Sequence, residues 1–187
     1  LIAELKALCA RALDDGAVGL STGLIYRPGR SAKTEEIAEL AALCGERGLL
    51  YTTHLRSESE RLLEAVEEAL AIGKSAGCAV QISHHKAAGR RNWGKTLQTH
   101  ARFAEALAAG VDVAIDVYPY TAGSGPLVEY FNPAAPDLEL LDVTRLASCP
   151  PFPELEGRML VDIAKAEGTD VPTLVARILA GRGGERT

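Results

Sequence analysis

A repeat of strand-like and helix-like segments, with a period of about thirty residues, constrains this chain more than any other feature. Short apolar segments typical of buried strands begin at residues 18, 49, 79 and 111, and amphipathic helical patterns precede and separate them. A strand, a helix and two short loops need about thirty residues. The sequence therefore predicts successive βα units whose strands run parallel.

Units of this kind, joined by right-handed crossovers in one direction, curl into a barrel. We therefore predict an α/β fold, a partial (β/α)8 TIM barrel with parallel strands and outer helices. The alternative is an open doubly wound sheet, which usually carries a G-x-G-x-x-G turn after its first strand. Gly19 and Gly23 lack that spacing, which favours the barrel. A full barrel needs about 250 residues, so 187 residues are enough for half to two thirds of one.

Glycine and proline interrupt the pattern after Tyr120, which indicates a change of architecture. We predict consecutive βα units over residues 1–125, and a helical or irregular excursion, inserted in the barrel, over residues 126–187. Short helices are expected there at residues 138–146, 158–167 and 171–179. The chain starts inside a helical pattern without an initiator methionine or a signal peptide, so we expect an internal fragment of a cytoplasmic protein.

Charge and cysteine content exclude several classes of function. The chain has 20 basic and 25 acidic residues, which argues against nucleic acid as a partner. Its apolar runs are too short to span a bilayer, so we expect no membrane partner. The four cysteines lie far apart without a C-x-x-C pair, and Cys9 and Cys44 fit helical stripes as small reduced hydrophobes. The exposed edges of a partial barrel favour self-association.

Two histidines occupy equivalent positions in neighbouring units. His54 follows the second predicted strand and His84 follows the third, thirty residues later. Catalytic groups of parallel βα arrays collect at the carboxyl ends of the strands. Neighbouring strands lie about 4.8 Å apart, so both imidazoles are able to bind one metal ion. The alternative is that both are hydrogen-bonded structural residues. His85 is expected to point to the opposite side of its strand, and His100 belongs to a helix face.

Five motifs in this order resemble the N-acyl-D-amino-acid deacylases (D-aminoacylases) of the amidohydrolase superfamily. Together they cover most of the predicted barrel units, and a looser match lies near residues 156–159. The motifs are residues 16–29 (GAVGLSTGLIYRPG), 53–56 (THLR), 81–86 (QISHHK), 92–95 (NWGK) and 116–124 (DVYPYTAGS).

The resemblance implies a metal-dependent barrel and a role for individual residues. His54 and His84 match two zinc ligands, and Tyr26 matches a tyrosine that donates to the carbonyl oxygen as it becomes an oxyanion. The substrate carboxylate is held in the family by residues that match Lys86, Tyr118 and Ser124. The first-strand His-x-His pair, the bridging cysteine and the general-base aspartate of the family have no match in this sequence. Zinc occupancy of this chain alone is therefore in question.

The implied reaction is hydrolysis of a linear amide. Zinc lowers the pKa of bound water to about 7 and supplies a hydroxide that attacks the acyl carbonyl of a small N-acyl-D-amino acid. The present chain, without the base and the other ligands, is expected to be inactive. Two alternatives stay open: a cyclic-amide hydrolase similar to hydantoinases or dihydroorotases, and a metal-free binding or scaffold module. Ser21 and Ser83 lack a nucleophile elbow, which excludes a serine hydrolase.

Overall fold

The computed structural model describes residues 1–131 and 136–181. The chain divides into two compact units, Leu1–Tyr120 and Thr121–Thr187. The division follows Tyr120, whereas the sequence predicts a boundary after residue 125. Residues 182–187 and 132–135 lie outside the described part of the chain.

The first unit alternates helices and strands in the predicted order, and single turns of 3₁₀ helix lie at Gly29–Ser31 and Arg90–Asn92. In chain order the elements are α1 (Ile2–Asp14), β1 (Gly19–Gly23), α2 (Thr34–Gly45), β2 (Leu50–His54), α3 (Leu62–Ala76), β3 (Ala79–Ile82), α4 (Lys95–Ala108) and β4 (Val113–Ile115).

The strands form one parallel sheet in the sequential order β1-β2-β3-β4. Sequential order is typical of a barrel wall, because a doubly wound sheet reverses its order at a switch point. In the described residues the sheet is open between β1 and β4. The register pairs Gly23 with His54 and Thr53 with Ile82, so the carboxyl ends of the strands lie side by side.

The core of this unit lies between the sheet and its helices. Fully buried side chains come from the inner faces of α3 and of the strands, among them Leu62, Val66, Ile72, Tyr51 and Ile82. Each such aliphatic side chain contributes about 1.5–3 kcal/mol through burial. This packing fixes the positions of the strand ends, from which the following loops start.

Two local details differ from what the sequence pattern suggests. Thr34 stands at the start of helix α2, where a threonine commonly caps the helix through its side chain, but its hydroxyl instead donates to Glu68 Oε1 at 2.7 Å. The strand predicted to begin at residue 111 is confined to Val113–Ile115, although the Asp116 amide still donates to the Ile82 carbonyl at 3.1 Å. The cysteines are reduced, and Cys44 is a fully buried small hydrophobe, as predicted.

The second unit is helical in its described part, with a 3₁₀ turn at Pro153–Leu155 and an isolated antiparallel bridge between Arg145 and Met159. Its core contains Leu141, Leu160 and Leu174. The last helix has a side-chain cap, since Asp170 accepts a hydrogen bond from the Thr173 amide at 2.7 Å. The helices are α5 (Leu127–Tyr130), α6 (Leu138–Asp142), α7 (Leu160–Glu167) and α8 (Val171–Ala180).

None of the helices in the described residues combines the length and the apolar character needed to cross a lipid bilayer.

Candidate active site

The carboxyl ends of β2 and β3 carry the two histidines. His54 is the last residue of β2, and His84 lies in the turn directly after β3. Their ring centroids are 4.5 Å apart, and His54 Nδ1 and His84 Nε2 are in direct contact. The two imidazoles therefore meet above the strand ends.

The backbone of His84 is held in an unusual conformation. Its φ is +40°, in the left-handed region that residues other than glycine rarely adopt. Asp116, which follows β4, accepts a hydrogen bond from the His84 amide through Oδ1 at 2.6 Å and one from Gln81 Nε2 through Oδ2 at 2.9 Å. The Asp116 carboxylate therefore stabilises the turn that directs His84 toward His54.

Glu58 lies on the outer side of His84 and was not singled out from the sequence. Its Oε1 is 2.7 Å from His84 Nδ1 and 2.6 Å from Lys86 Nζ. The hydrogen bond from the Ala88 amide to the Glu58 carbonyl, at 2.7 Å, joins the loops that follow β2 and β3. Glu58 stands four residues after His54, which is the one signal in the sequence that could have drawn attention to it.

Glu58 and Lys86 both contact Nδ1 of His84. A carboxylate accepts hydrogen bonds, so the contact with Glu58 Oε1 favours the tautomer that carries the proton on Nδ1, whereas Lys86 Nζ, 2.9 Å from the same nitrogen, can only donate to it. When Nδ1 carries the proton, Nε2, the atom that faces His54, has a free lone pair. A carboxylate behind a ligating histidine is the arrangement that orients metal ligands in proteins.

Lys86 and Tyr118 lie next to each other on the same side of the histidine pair. Lys86 Nζ is 5.4 Å from the centroid of the Tyr118 ring and 2.9 Å from His84 Nδ1. Burial and the negative charge of Glu58 both raise the pKa of the Tyr118 hydroxyl. Tyr118 therefore keeps its proton near neutral pH and is able to donate a hydrogen bond there.

The imidazole of His54 is held in the neutral form. Burial is the main cause that lowers its pKa, and the neighbouring His84 and the positive charge of Lys86 lower it further. A neutral imidazole is the form that binds metal ions. The surroundings of His54 thus favour its ligating state.

Tyr26 lies on the other side of His54. The two rings meet edge to face, with centroids 6.0 Å apart. Tyr26 belongs to the segment between β1 and α2, and its amide donates to the Gly23 carbonyl at 3.2 Å. The structure therefore brings Tyr26, His54, His84, Lys86 and Tyr118 to one edge of the sheet.

The remaining candidates are distributed as follows. Ser124 is exposed and belongs to the second unit, so its contact with a substrate stays a prediction. His85 points into the helical layer as expected, where its Nε2 lies 2.8 Å from Thr99 Oγ1 and its ring packs on Phe103. Asn92 is buried and donates to the Ala88 carbonyl at 2.7 Å, which braces the loop after β3.

The donor set suits a divalent metal ion of the zinc type. Imidazole nitrogens are common ligands of zinc, and the His54 and His84 nitrogens face each other with orienting partners behind His84. In the described residues, however, no group of three or more histidine, cysteine, aspartate or glutamate side chains is arranged around one point. A complete coordination shell would need ligands from outside this part of the chain.

Known proteins provide a direct comparison. No protein-family model matches the chain. An N-acyl-D-glutamate deacylase of Alcaligenes xylosoxydans xylosoxydans is 42% identical over 174 residues, which are 93% of this chain and 34% of that protein. A D-aminoacylase of the same organism is 40% identical over 168 residues, which are 89% of this chain and 33% of that protein.

Over most of its length, the chain is similar to N-acyl-D-amino-acid deacylases. It spans about a third of the length of the curated relatives it matches. The crystal structure of a D-aminoacylase, described as defining a subset of amidohydrolases, superposes with a TM-score of 0.83 at 39% identity, covering 95% of this chain and 36% of that one. This likeness to an amidohydrolase confirms the predicted fold, and the open sheet is that of a partial barrel.

A second structure of the family contains a metal. The N-acyl-D-glutamate deacylase of Bordetella bronchiseptica, in complex with zinc and a phosphonate that mimics the tetrahedral intermediate, superposes with a TM-score of 0.85 at 40% identity. It matches 95% of this chain and 36% of its own length. Another D-aminoacylase structure is described as having a binuclear metal centre. Both of these solved relatives are thus described with a metal.

Proposed function

We propose that the full-length protein is a metal-dependent hydrolase that removes the acyl group from N-acyl-D-amino acids. The observation that carries the proposal is the convergence of His54 Nδ1 and His84 Nε2 at the strand ends. The names of the relatives support the same substrate class, since they are an N-acyl-D-glutamate deacylase, an N-acyl-D-aspartate deacylase and a D-aminoacylase.

His54 and His84 are the residues that would hold the metal, which we propose to be zinc. A bound zinc ion polarises an amide carbonyl and activates a water molecule at neutral pH. The two histidines would contribute imidazole nitrogen ligands, and Glu58 is a hydrogen-bond partner of His84 Nδ1.

Tyr26 is proposed to act on the carbonyl oxygen of the scissile amide. Its ring lies beside His54, so its hydroxyl is available on the same side of the sheet as the proposed metal position. A hydrogen bond that strengthens while the oxygen gains negative charge stabilises the transition state by about 3–4 kcal/mol. Tyr26 would therefore affect turnover more than substrate affinity.

Lys86, Tyr118 and Ser124 are proposed to bind the carboxylate of the amino acid. An ammonium group attracts a carboxylate as a point charge, and Tyr118 beside it has a proton to donate. Lys86 is paired with Glu58 in the structure, so the substrate carboxylate would share Lys86 with that side chain.

We also propose that the protein is cytoplasmic and that its substrate is a small molecule. Nucleic acid and membrane partners are not expected. Self-association through exposed sheet edges stays a prediction.

The experiment that tests the function measures the release of free D-amino acid by the full-length protein from a panel of N-acyl-D-amino acids. Hydantoins in the same panel test the cyclic-amide alternative. We expect turnover of the linear amides that is abolished by chelation and by His54→Ala or His84→Ala. His100→Ala, on the exposed face of α4, is the matched control and should leave turnover unchanged. Turnover that survives both site substitutions would contradict the proposal.

A further inference from the structure

The segment that carries Tyr26 has little regular structure of its own. Residues 24–32 connect β1 to α2 and contain a single 3₁₀ turn, Gly29–Ser31. The Leu24 amide donates to the His54 carbonyl at 3.0 Å, and the Arg30 amide donates to the Tyr26 carbonyl at 2.7 Å. A Cβ on Gly29 would lie 2.6 Å from the Gly23 carbonyl oxygen, so the segment folds back closely on the end of β1. Arg30 Nη2 also donates to the Ile25 carbonyl at 2.6 Å, so local contacts hold the segment around Tyr26, and further contacts reach it from the loop after β2.

Arg56 supplies such contacts. It stands two residues after His54, and its guanidinium reaches the far end of the segment. Nη1 donates to the Arg30 carbonyl at 2.8 Å, and Nη2 donates to the Ala32 carbonyl at 3.0 Å. The planar guanidinium fork makes both bonds at once, which an ammonium group is not shaped to do.

Glu68, on helix α3, holds the guanidinium in place. Its carboxylate accepts Arg56 Nε at 2.9 Å and Nη2 at 2.8 Å, and it also accepts the Thr34 hydroxyl at 2.7 Å. The Glu68 side chain is 12% exposed and that of Arg56 is 20% exposed, so water competes weakly for these bonds. Burial raises the pKa of Glu68, but the hydrogen bonds from Arg56 and Thr34 and the charge of Arg56 outweigh it and lower the pKa.

We propose that Arg56 and Glu68 are positioning residues that fix Tyr26 beside His54. The inference rests on the proposed function, because it requires Tyr26 to act on the substrate. Arg56 joins the Tyr26 segment to the same strand end that carries His54, and Glu68 anchors Arg56 to α3. The contacts of Arg56 with the Tyr26 segment and with Glu68 form what we call the Arg56 clamp. Without them Tyr26 would still be present, but its hydroxyl would no longer have a fixed position. A misplacement of about 1 Å typically lowers a rate about 100-fold.

The first test compares Arg56→Lys with the wild type in the full-length protein. We expect kcat to fall about 10- to 100-fold, while KM changes by less than about threefold and metal content is unchanged. Arg47→Lys is the matched control, because Arg47 also binds a carboxylate, Asp14 at 3.0 Å, and a carbonyl, Leu43 at 3.0 Å, but lies away from the Tyr26 segment. This control should keep the wild-type kcat.

A double-mutant cycle separates positioning from a general effect on stability. If Arg56 acts through Tyr26, the variant Tyr26→Phe should lose turnover by itself, and adding Arg56→Lys to it should cost little more. Losses that multiply in the double variant would overturn the proposal. A kcat of Arg56→Lys equal to that of the wild type would do so as well.

Amide hydrogen exchange gives a readout independent of activity. Residues 24–32 should exchange at least about tenfold faster in Arg56→Lys than in the wild type, while the core of α3 should be unchanged. Unchanged exchange at residues 24–32 would overturn the clamp even if the deacylase function holds. A wild-type protein that hydrolyses no N-acyl-D-amino acid would instead overturn the proposed function and, with it, the catalytic part of this inference.

A second pair of variants, which perturbs the Arg56 clamp less, is used if Arg56→Lys does not fold. Thr34→Val removes the hydroxyl that holds Glu68, whereas Thr34→Ser keeps it. We expect Thr34→Val to lower kcat several-fold with KM maintained, and Thr34→Ser to restore it. Equal kcat values in the two variants would contradict the role of Glu68.

Discussion

Among single residues, the contact between Glu58 and His84 Nδ1 is the feature on which the site depends. Glu58 Oε1 lies 2.7 Å from Nδ1, where it accepts a hydrogen bond from the tautomer that leaves Nε2 available toward His54. The same oxygen holds Lys86. Glu58 therefore links the proposed metal ligand with the proposed carboxylate anchor.

Glu58→Gln tests this link. The neutral amide is a weaker acceptor for His84 and no longer fixes its tautomer, so metal affinity should fall by about 10- to 100-fold. The measurement is competition for zinc between the full-length protein and a chelator of known affinity. Glu60→Gln is the control, because the Glu60 side chain is 66% exposed and pairs with Arg91 instead. Equal affinities for Glu58→Gln and wild type would show that the carboxylate does not orient His84.

His85 provides a prediction on pH. Burial, His100 and Lys86 lower the pKa of its imidazole, in that order of importance. The unfolded chain therefore binds a proton at higher pH than the folded chain. Stability from this residue is complete above the ordinary histidine pKa of about 6.5 and decreases as the pH falls below it.

The melting temperature of the full-length protein should accordingly drop less between pH 7.5 and pH 5.5 in His85→Gln than in the wild type. The same substitution at the exposed His100 should alter this pH dependence less. If His85→Gln loses as much stability on acidification as the wild type, the buried imidazole is not responsible for any of the loss.

The two histidines could be predicted from the sequence because they recur one βα unit apart at strand ends. Glu58 and the Arg56 clamp could not, since they lie in loops where no periodicity applies. Their importance arises from contacts with residues distant in sequence, such as Glu68 and Arg30. Thr34 illustrates the same limit, because its tertiary contact with Glu68 replaced the local helix cap that its position suggested.

At the scale of elements, the close packing of α2 against α3 holds the βα units together. Gly45, at the end of α2, lies where a Cβ would be 2.0 Å from the Ala76 carbonyl oxygen. The approach of the two helix ends therefore requires glycine at this position. Hydrophobic periodicity predicts both helices but not this contact, which depends on how the helices are placed on the sheet.

Gly45→Ala should destabilise the protein by about 1–3 kcal/mol, because the added methyl group forces the helix ends apart. Gly48→Ala is the comparison. A Cβ at residue 48 would meet no atom within 4 Å, so the cost of this substitution is the strain of an alanine at a φ of +64°. Chemical unfolding of the full-length variants measures the difference. A smaller loss for Gly45→Ala than for Gly48→Ala would contradict the close packing of α2 on α3.

For the whole molecule, the open sheet and the greater length of the relatives both fit a partial barrel. The chain spans about a third of the curated deacylases it matches, and its described residues hold two converging histidines but no group of three ligands. We expect the 187-residue chain by itself to release no measurable D-amino acid, since the resemblance implies a general base that has no match in this sequence, and a general base contributes about 100- to 10,000-fold in rate. An equimolar assay beside the full-length protein checks this, and comparable turnover would contradict it.

Anomalous X-ray scattering at the zinc edge from crystals of the full-length protein locates the metal ion directly. We predict a peak about 2.1 Å from both His54 Nδ1 and His84 Nε2. A metal-loaded protein whose anomalous density touches neither ring would contradict it.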